Sequence, residues 1–322
     1  MTATRARVLA HVLTRNDGEV ILDCLDSLQA QDHDDLAILV SDNGSTDDTA
    51  VRARQVRPRI ELVENGANLG YAAGHNRAVA RGGFDWFLAL NADVVLRPDY
   101  LSRALDRAHS DPACGMVTGK LLRPGSGQPI LDSAGLVLDR FRRNSERGSG
   151  EEDRGQYDEP EEVFGAFGAA ALYSRPLLDD LAPDGKLFDE DFFAFREEVD
   201  LAWRARARGW TCLYAPDAQG THVHRYRPET RASRPAAERR LQRRNRYLML
   251  IKNESWPGLV RDLASILAFE AAALGQALLT EREVLPAYID ALRLLPRALQ
   301  SRRRERARRT VPDRQLLRWF GR

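Results

Sequence analysis

The sequence predicts an α/β protein in which a mostly parallel sheet is flanked by helices and followed by a C-terminal helical appendage. Three observations predict it. In the first third of the chain, short apolar runs alternate with amphipathic stretches, the order that yields parallel strands joined by crossover helices. Within that region Trp86-Phe87-Leu88-Ala89-Leu90 is apolar throughout, as a strand covered on both faces must be. From residue 236 to 300 the apolar positions follow successive amphipathic helices instead.

Residues 8–13 read as the first strand and 19–29 as a helix with Val20, Leu22, Cys24, Leu25 and Leu28 apolar. A second strand, 36–40, ends at Ser41-Asp42-Asn43-Gly44, after which Ser45-Thr46-Asp47-Asp48 has the form of a capping box opening another helix. A short strand at 60–63, a helix at 72–81, the strand at 86–90 and a helix at 98–110 follow. Residues 124–160 are rich in Gly, Ser, Arg and acids and are expected to contain a mobile surface loop. Apolar character returns at 163–173. A helix at 198–208 ends at Gly209, a C-cap, and 211–215 is strand-like. The later helices are expected to break at Pro257, Pro286 and Pro296.

With 322 residues, 43% hydrophobic content and a formal net charge of +1, the chain has the composition of an ordinary soluble globular protein. Its three cysteines, Cys24, Cys114 and Cys212, are scattered and match no metal spacing, which suggests reduced thiols in a cytosolic compartment. No signal peptide is read at the start. The longest apolar stretch, 259–279, carries Arg261, Asp262 and Glu270, so it is not expected to span a membrane.

Asn91 and Asp93 carry the first chemical signal. Spaced i, i+2, they share one side of an extended chain, and the carboxyl end of a buried parallel strand opens into the ligand crevice. A carboxylate there suits a divalent cation carrying a diphosphate; a strand simply ending in a polar turn explains it as well. Three further patterns bear on the choice: Ser41-Asp42-Asn43-Gly44-Ser45-Thr46-Asp47, Asn68-Leu69-Gly70-Tyr71-Ala72-Ala73-Gly74-His75-Asn76, and Phe188-Asp189-Glu190-Asp191-Phe192-Phe193 running on to Glu197-Glu198-Val199-Asp200-Leu201. Together with Leu90-Asn91-Ala92-Asp93, a variant of the DxD metal motif, these stand in an order that resembles the inverting glycosyltransferases of family 2, which have the GT-A fold. The resemblance covers roughly residues 8–225. Through Arg244-Asn245-Arg246-Tyr247 and Lys252-Asn253 it continues toward bacterial rhamnosyltransferases. It implies a GT-A catalytic domain at 1–232 and a helical extension with a basic tail at 233–322.

The resemblance implies a nucleotide-diphospho-sugar donor contacted by Thr14, Asn16, Asp42, Asn68, Gly70, Gly74, Asn76, Asn91 and Asp93. For Asp42 the alternative is an Asx-turn or cap, for Gly70 and Gly74 plain turn glycines, and for Asn76 helix-surface polarity. Asp93 would hold Mg²⁺ or Mn²⁺ on the diphosphate; Asn91, replacing the first Asp of a full DxD, offers a neutral oxygen only. His222 matches the histidine that closes the family's metal site, with His224 two residues on. Glu198 occupies the place of the catalytic base, with Glu197 as the competing assignment. The family usually has Glu-Asp here, and an acidic first helical turn favoured by the macrodipole explains the pair structurally. Asp189 and Glu190 either contact the acceptor or fix their loop.

Gln315-Leu316-Leu317-Arg318-Trp319 matches the QxxRW signature of processive synthases, but without adjacent spans it is read as coincidence. The basic run 302–309 is read as attachment to an anionic membrane surface, with a solvated helix face as the alternative; no nucleic-acid partner is expected. The expected activity is inverting transfer of one sugar, L-rhamnose from dTDP-rhamnose, to a glycan or lipid-linked acceptor of cell-surface polysaccharide. The enzyme is placed in the cytoplasm, peripheral to the membrane, and no oligomeric state is assigned. A nucleotidyltransferase, which would carry a Gly-rich loop where Thr14-Arg15-Asn16-Asp17-Gly18 stands, and a degenerate binding protein are the alternatives.

Overall fold

The computed structural model describes residues 6–56, 60–125, 127–224 and 234–321. The boundary expected at 232/233 lies outside the described residues. The first elements follow the expected order: β1 (Val8–Thr14), α1 (Ile21–Gln29), β2 (Leu36–Asp42), α2 (Thr49–Gln55), β3 (Glu61–Glu64), α3 (Gly70–Val79), β4 (Trp86–Asn91), β5 (Val94–Leu96) and α4 (Tyr100–Ala108). Strands β3-β2-β1-β4 are parallel neighbours. Their register pairs Thr14 with Asp42 and Leu13 with Asn91, so the carboxyl ends of β1, β2 and β4 meet at one edge. Strand β4 is covered on both faces: Phe87 and Ala89 enter one apolar cluster, Leu88 and Leu90 the other. The period-2 alternation of a strand divides the two cores.

The sheet continues through β11 (Ala170–Ser174), antiparallel to both β4 and β6 (Cys114–Arg123), and then β12 (Thr211–His222), parallel to β6. Beyond a bulge after Ala215, β12 runs on to pair antiparallel with β5, setting His222 opposite Val94. Residues 124–160 depart from expectation, because much of this segment is built into sheet. Strand β7 (Ile130–Ser133) pairs with β6, and β8 (Leu136–Leu138) with β9 (Asn144–Glu146). Buried Lys120 holds Asp153 at 2.9 Å and Asp158 at 2.5 Å. Two buried strand residues flanking an acid, Leu131-Asp132-Ser133, were too short a signal against a polar background.

Helix α5 (Arg175–Leu181) precedes α6 (Glu197–Ala207), against which the C-terminal helices α7 (Ala236–Asn253), α8 (Trp256–Leu279), α9 (Pro286–Ala307) and α10 (Asp313–Leu317) are arranged. Pro257 and Pro286 lie in first turns, where no partner for N–H is lost. Pro296, in contrast, lies inside α9, which does not break there. Pro296 and Leu292, whose carbonyl loses its partner, are both exposed, so the helix can bend that carbonyl toward water. The capping box is likewise absent: α2 starts at Thr49, whose N–H donates to Asp47 Oδ1 at 3.1 Å. By length and composition alone α8 is long and apolar enough to cross a membrane, an 18-residue window reaching a mean hydropathy of 1.4.

Much of the basic run is used in packing. Arg302 donates to the Ile251 carbonyl at 2.7 Å, and Glu305 pairs with Arg208 at 2.6 Å. The residue after the QxxRW run closes the core behind α6: Phe320 packs on Trp203 at 4.9 Å and under the Arg142 guanidinium at 4.3 Å. Arg142 is fully buried and pairs with Glu254 at 2.6 Å and Asp262 at 2.8 Å. Removing one member of a buried ion network strands the others. Arg142→Met should therefore lower unfolding free energy by about 3–5 kcal/mol in denaturant titration.

Candidate active site

A cavity of about 320 Å³ opens at the meeting carboxyl ends of β1, β2 and β4. Thr14, Asn68, Gly70, Asn91 and Asp93, five of the expected donor contacts, line it. So do Arg15, Asn43 and Tyr71, which sequence reasoning did not single out. Arg15 is the cation of this lining. Asn43 sits inside an already quoted motif and joins two turns: its amide donates to the Gly70 carbonyl at 3.2 Å and accepts from Leu69 N–H at 3.3 Å.

The other expected donor contacts do not line the cavity; each has a local partner. The Asp42 carboxylate accepts Ser45 N–H at 3.1 Å, the turn geometry of the alternative reading. Asn16 accepts Thr46 N–H at 2.7 Å. A Cβ on Gly74 would lie 2.6 Å from Leu13 Cδ1, so this glycine lets α3 pack on β1. Asn76 exchanges hydrogen bonds with the Phe188 backbone at 2.8 and 2.9 Å, fixing α3 to the loop before α6.

The β5–β12 pairing brings together a carboxylate–imidazole cluster. His222 Nε2 is 3.2 Å from Asp93 Oδ1, its Nδ1 is 2.8 Å from Asp132 Oδ2, and His224 Nε2 is 2.6 Å from Asp132 Oδ1. Asp132 and His224 were not expected here as ligands, and Asp132 comes from the segment read as a loop. Burial works against charge on His222, but hydrogen bonds to Asp132 and Asp93 overcome it and raise its pKa to about 9. Burial also opposes ionised Asp93 and Asp132, yet the His222 hydrogen bond holds both below the usual carboxylate range. A buried carboxylate, Asp132, and a partly buried one, Asp93, flank one imidazole; a protonated His222 balances them, and a divalent ion could take that proton's place. Asp132 on Nδ1 directs Nε2 toward Asp93, as an outer carboxylate orients a metal-ligating histidine. Asp93 and His222 could hold the ion, and Asp132, His222 and His224, with ligand atoms within 4.8 Å of one another, form an overlapping set.

The second chemical group enters from α6. Phe193, Phe195 and Arg196, immediately before it, have φ of 64°, 71° and 72°, left-handed for bulky side chains. Such residues cost on the order of 1–2 kcal/mol each and cluster where a site dictates the backbone. Glu197 is only 4% exposed, and its Oε2 has no hydrogen-bond partner among the described residues. Burial and then the adjacent Glu198 push its pKa well up. Glu198 is half-buried; burial, with the Glu146 charge adding to it, moves its pKa to about 7. Gly168 lies between the start of the Glu198 side chain and Tyr71 in the cavity wall: a Cβ there would approach Tyr71 Oη to 3.2 Å and Glu198 Cβ to 3.7 Å. Phe193 itself lines the cavity. A Cβ on Gly70 would come within 2.4 Å of its carbonyl oxygen, so glycine is required for this approach.

Helix α7 holds this loop. The buried Asn245 amide lies 2.9, 2.7 and 2.8 Å from the carbonyls of Phe192, Ala194 and Phe195. Lys252 Nζ bridges Asp189 at 2.5 Å and Asp200 at 2.9 Å, while Asn253 donates to Asp200 at 2.8 Å. Asp189 also accepts Asp191 N–H at 3.0 Å, and Glu190 accepts from Asn76 at 3.1 Å. These are the contacts of the loop-fixing alternative for Asp189 and Glu190.

The family model described as "Glycosyl transferase family 2" matches residues 10–182. An N-acetylglucosaminyl-diphospho-decaprenol L-rhamnosyltransferase of Mycobacterium tuberculosis is 30% identical over 244 residues, 68% of this chain and 76% of that protein. GalNAc-T7, solved with UDP, GalNAc and Mn²⁺, superposes with a TM-score of 0.62 at 10% identity over 77% of this chain. The chain spans about half, 48%, of that structure's length. The mannosyltransferase PcManGT of Pyrobaculum calidifontis, solved with GDP-Man and Mn²⁺, superposes with a TM-score of 0.54 at 19% identity, covering 98% of this chain and 79% of that one. At these identities the two structures show a shared GT-A fold.

Titration calorimetry with Mn²⁺ tests the cluster without reference to turnover. Asp93→Asn and His222→Ala should each abolish measurable binding, and Asp132→Asn should weaken it by about 10- to 100-fold.

Proposed function

This chain belongs to glycosyltransferase family 2, and from that premise we propose that it transfers a single L-rhamnose from dTDP-L-rhamnose, with inversion, to a sugar carried on a polyprenyl diphosphate. The identity to the Mycobacterium tuberculosis rhamnosyltransferase supports both the sugar and the lipid-linked acceptor. The observation that carries the chemistry is the placement of Glu198, a carboxyl with a pKa near 7, one glycine away from the Tyr71 wall of a cavity bounded by Asp93.

In this reading Thr14, Asn43 and Asn68 hydrogen-bond the nucleotide and Arg15 meets the diphosphate. Asp93 and His222 hold Mn²⁺ in preference to Mg²⁺, since one donor is an imidazole nitrogen and magnesium favours all-oxygen shells. The ion supplies neutralisation of charge on the departing nucleotide. Glu198 accepts the proton of the acceptor hydroxyl as that oxygen attacks the sugar from the face opposite the leaving group. Glu197, buried and neutral, is excluded from that role because it reaches no open space. We retain the division into a catalytic domain at 1–232 and a helical extension at 233–322, with the extension serving the site through Asn245 and Lys252. A lipid-linked acceptor places the enzyme at the cytoplasmic face of a membrane.

Three measurements test this. Calorimetry should show dTDP-L-rhamnose binding more tightly than UDP- and GDP-sugars; equal or weaker binding removes the donor assignment. Glu198→Gln should reduce transfer by about 10²- to 10⁴-fold with donor affinity unchanged. In the wild type the base must be deprotonated. The logarithm of kcat/KM should therefore rise with unit slope below about pH 7 and level off above it.

A further inference from the structure

Among the described residues, every exposed large hydrophobic side chain except Val51 lies on α8 or α9. On α8, Trp256, Val260, Leu263, Leu267, Leu274 and Leu278 recur every three, four or seven residues and form one stripe along the helix. Only Arg261 and Gln276 are polar among the exposed α8 positions. Scattered exposed apolar side chains need no explanation, but a continuous stripe roughly 36 Å long does.

The polar residues of α8 explain why this helix lies across the protein and does not leave it. Asp262 pairs with buried Arg142 at 2.8 Å, Glu270 with Arg246 at 2.6 Å, and Ser265 accepts from Arg140 at 2.9 Å. Moving α8 into a spanning position would strand two arginines in the core and carry two carboxylates into hydrocarbon. The charges on α9 are sorted in the same sense. Asp290 and Glu305 are tied to Arg240 and Arg208 at 2.5 and 2.6 Å. Arg293, Arg297 and Arg304 reach Asp290 at 3.6 Å, Asp191 at 3.0 Å and Glu305 at 3.8 Å but stay 74, 71 and 66% exposed, next to a stripe of Ile289, Leu292 and Leu299.

We propose that the outer face of α8, supported by the arginine-flanked stripe of α9, docks flat onto an anionic phospholipid bilayer with its apolar side chains in the headgroup–acyl boundary. The acidic groups of both helices are held inward in ion pairs, whereas apolar and guanidinium groups point outward. That division is complementary to an anionic membrane surface. It disfavours a second copy of the chain, because a two-fold interface would set arginine against arginine. The proposal deepens the membrane placement given above and rests on the lipid-linked acceptor reading. It sharpens the sequence expectation in one respect: the outer apolar face of α8 carries the attachment, and the 302–309 run, partly used in packing, assists.

Flotation of the full-length protein with vesicles is the test. Wild type should float with vesicles containing phosphatidylglycerol and less with phosphatidylcholine alone. The triple variant V260E/L267E/L274E should bind at least about tenfold more weakly while keeping its circular dichroism and its affinity for nucleotide sugar. Absence of flotation with phosphatidylglycerol vesicles at low salt overturns the proposal. So does equal flotation of the triple variant, or a wild-type dimer in light scattering that the triple variant dissolves. Nucleotide-sugar affinity is measured on the same samples, so a failed donor assignment and a failed docking face give different results.

Discussion

The site depends on a loop that cannot hold its own shape. Between Asp189 and Glu197 three bulky residues occupy left-handed backbone, and Oε2 of buried Glu197 at the start of α6 has no hydrogen-bond partner among the described residues. What holds the loop is α7. Asn245 gathers the carbonyls of Phe192, Ala194 and Phe195, and Lys252 bridges Asp189 before the turn to Asp200 inside the helix after it. Burial opposes the Asp200 charge, but Lys252 and Arg204 keep the group ionised, below its ordinary range. A buried ammonium with two carboxylates fixes the two ends of the loop relative to each other. The interior of the loop is then set by hydrogen bonds that only this strained path can make. The C-terminal helices thus form part of the machinery, even though they bring no group to the cavity.

A second constraint comes from strand order. A parallel strand delivers its carboxyl end to the crevice, which is how Thr14, Asn43 and Asn91 arrive. His222 cannot come that way from β12, which lies on the far side of β6 and β11. It arrives because β12 bulges after Ala215 and turns to pair with β5, the short strand directly following Asp93. The Val223 N–H donates to the Asp93 carbonyl at 2.8 Å, closing the register. Gly119 and Gly220 mark the cost in space: a Cβ would lie 2.2 Å from the Ala218 carbonyl oxygen at the first and 3.0 Å from that of Val95 at the second. The metal-fitting cluster is thus a product of sheet geometry.

The parts of the fold written in local signals were legible. Across 8–110 apolar period and turn chemistry agree, and most strands and helices lie within two residues of expectation, but β5 was not expected and α2 starts at Thr49 without the capping box read at 45–48. The cavity residues at strand ends followed from the same logic. What escaped depended on long-range pairing. Asp132 acquires meaning only when β7 joins β6 and faces a histidine ninety residues away. Gly74 and Asn76 carry the look of ligand contacts, yet they serve Leu13 and the Phe188 loop. Pro296 failed as a breaker because its helix position faces outward, and sequence alone does not say which way a helix faces. The same ignorance left open which apolar side chains of α8 face outward, and Ile266 is buried while Val260, Leu274 and Leu278 are exposed.

The departure from the family's Glu-Asp to Glu197-Glu198 can now be weighed. Adjacent positions at a helix start point in different directions, about 100° apart around the axis. Here Glu197 is buried at 4% exposure and Glu198 is half-buried, with its Cβ beside Gly168. Were both ionised, two charges would share a poorly hydrated space; holding Glu197 neutral removes that repulsion. Glu198 then titrates near neutrality, poised between too weak a base and one already protonated. An aspartate at this position would carry its carboxylate one methylene closer to the backbone. With the backbone fixed by α7, reach is the variable left to the side chain, and in the proposed mechanism the longer residue gives the base one methylene more of it.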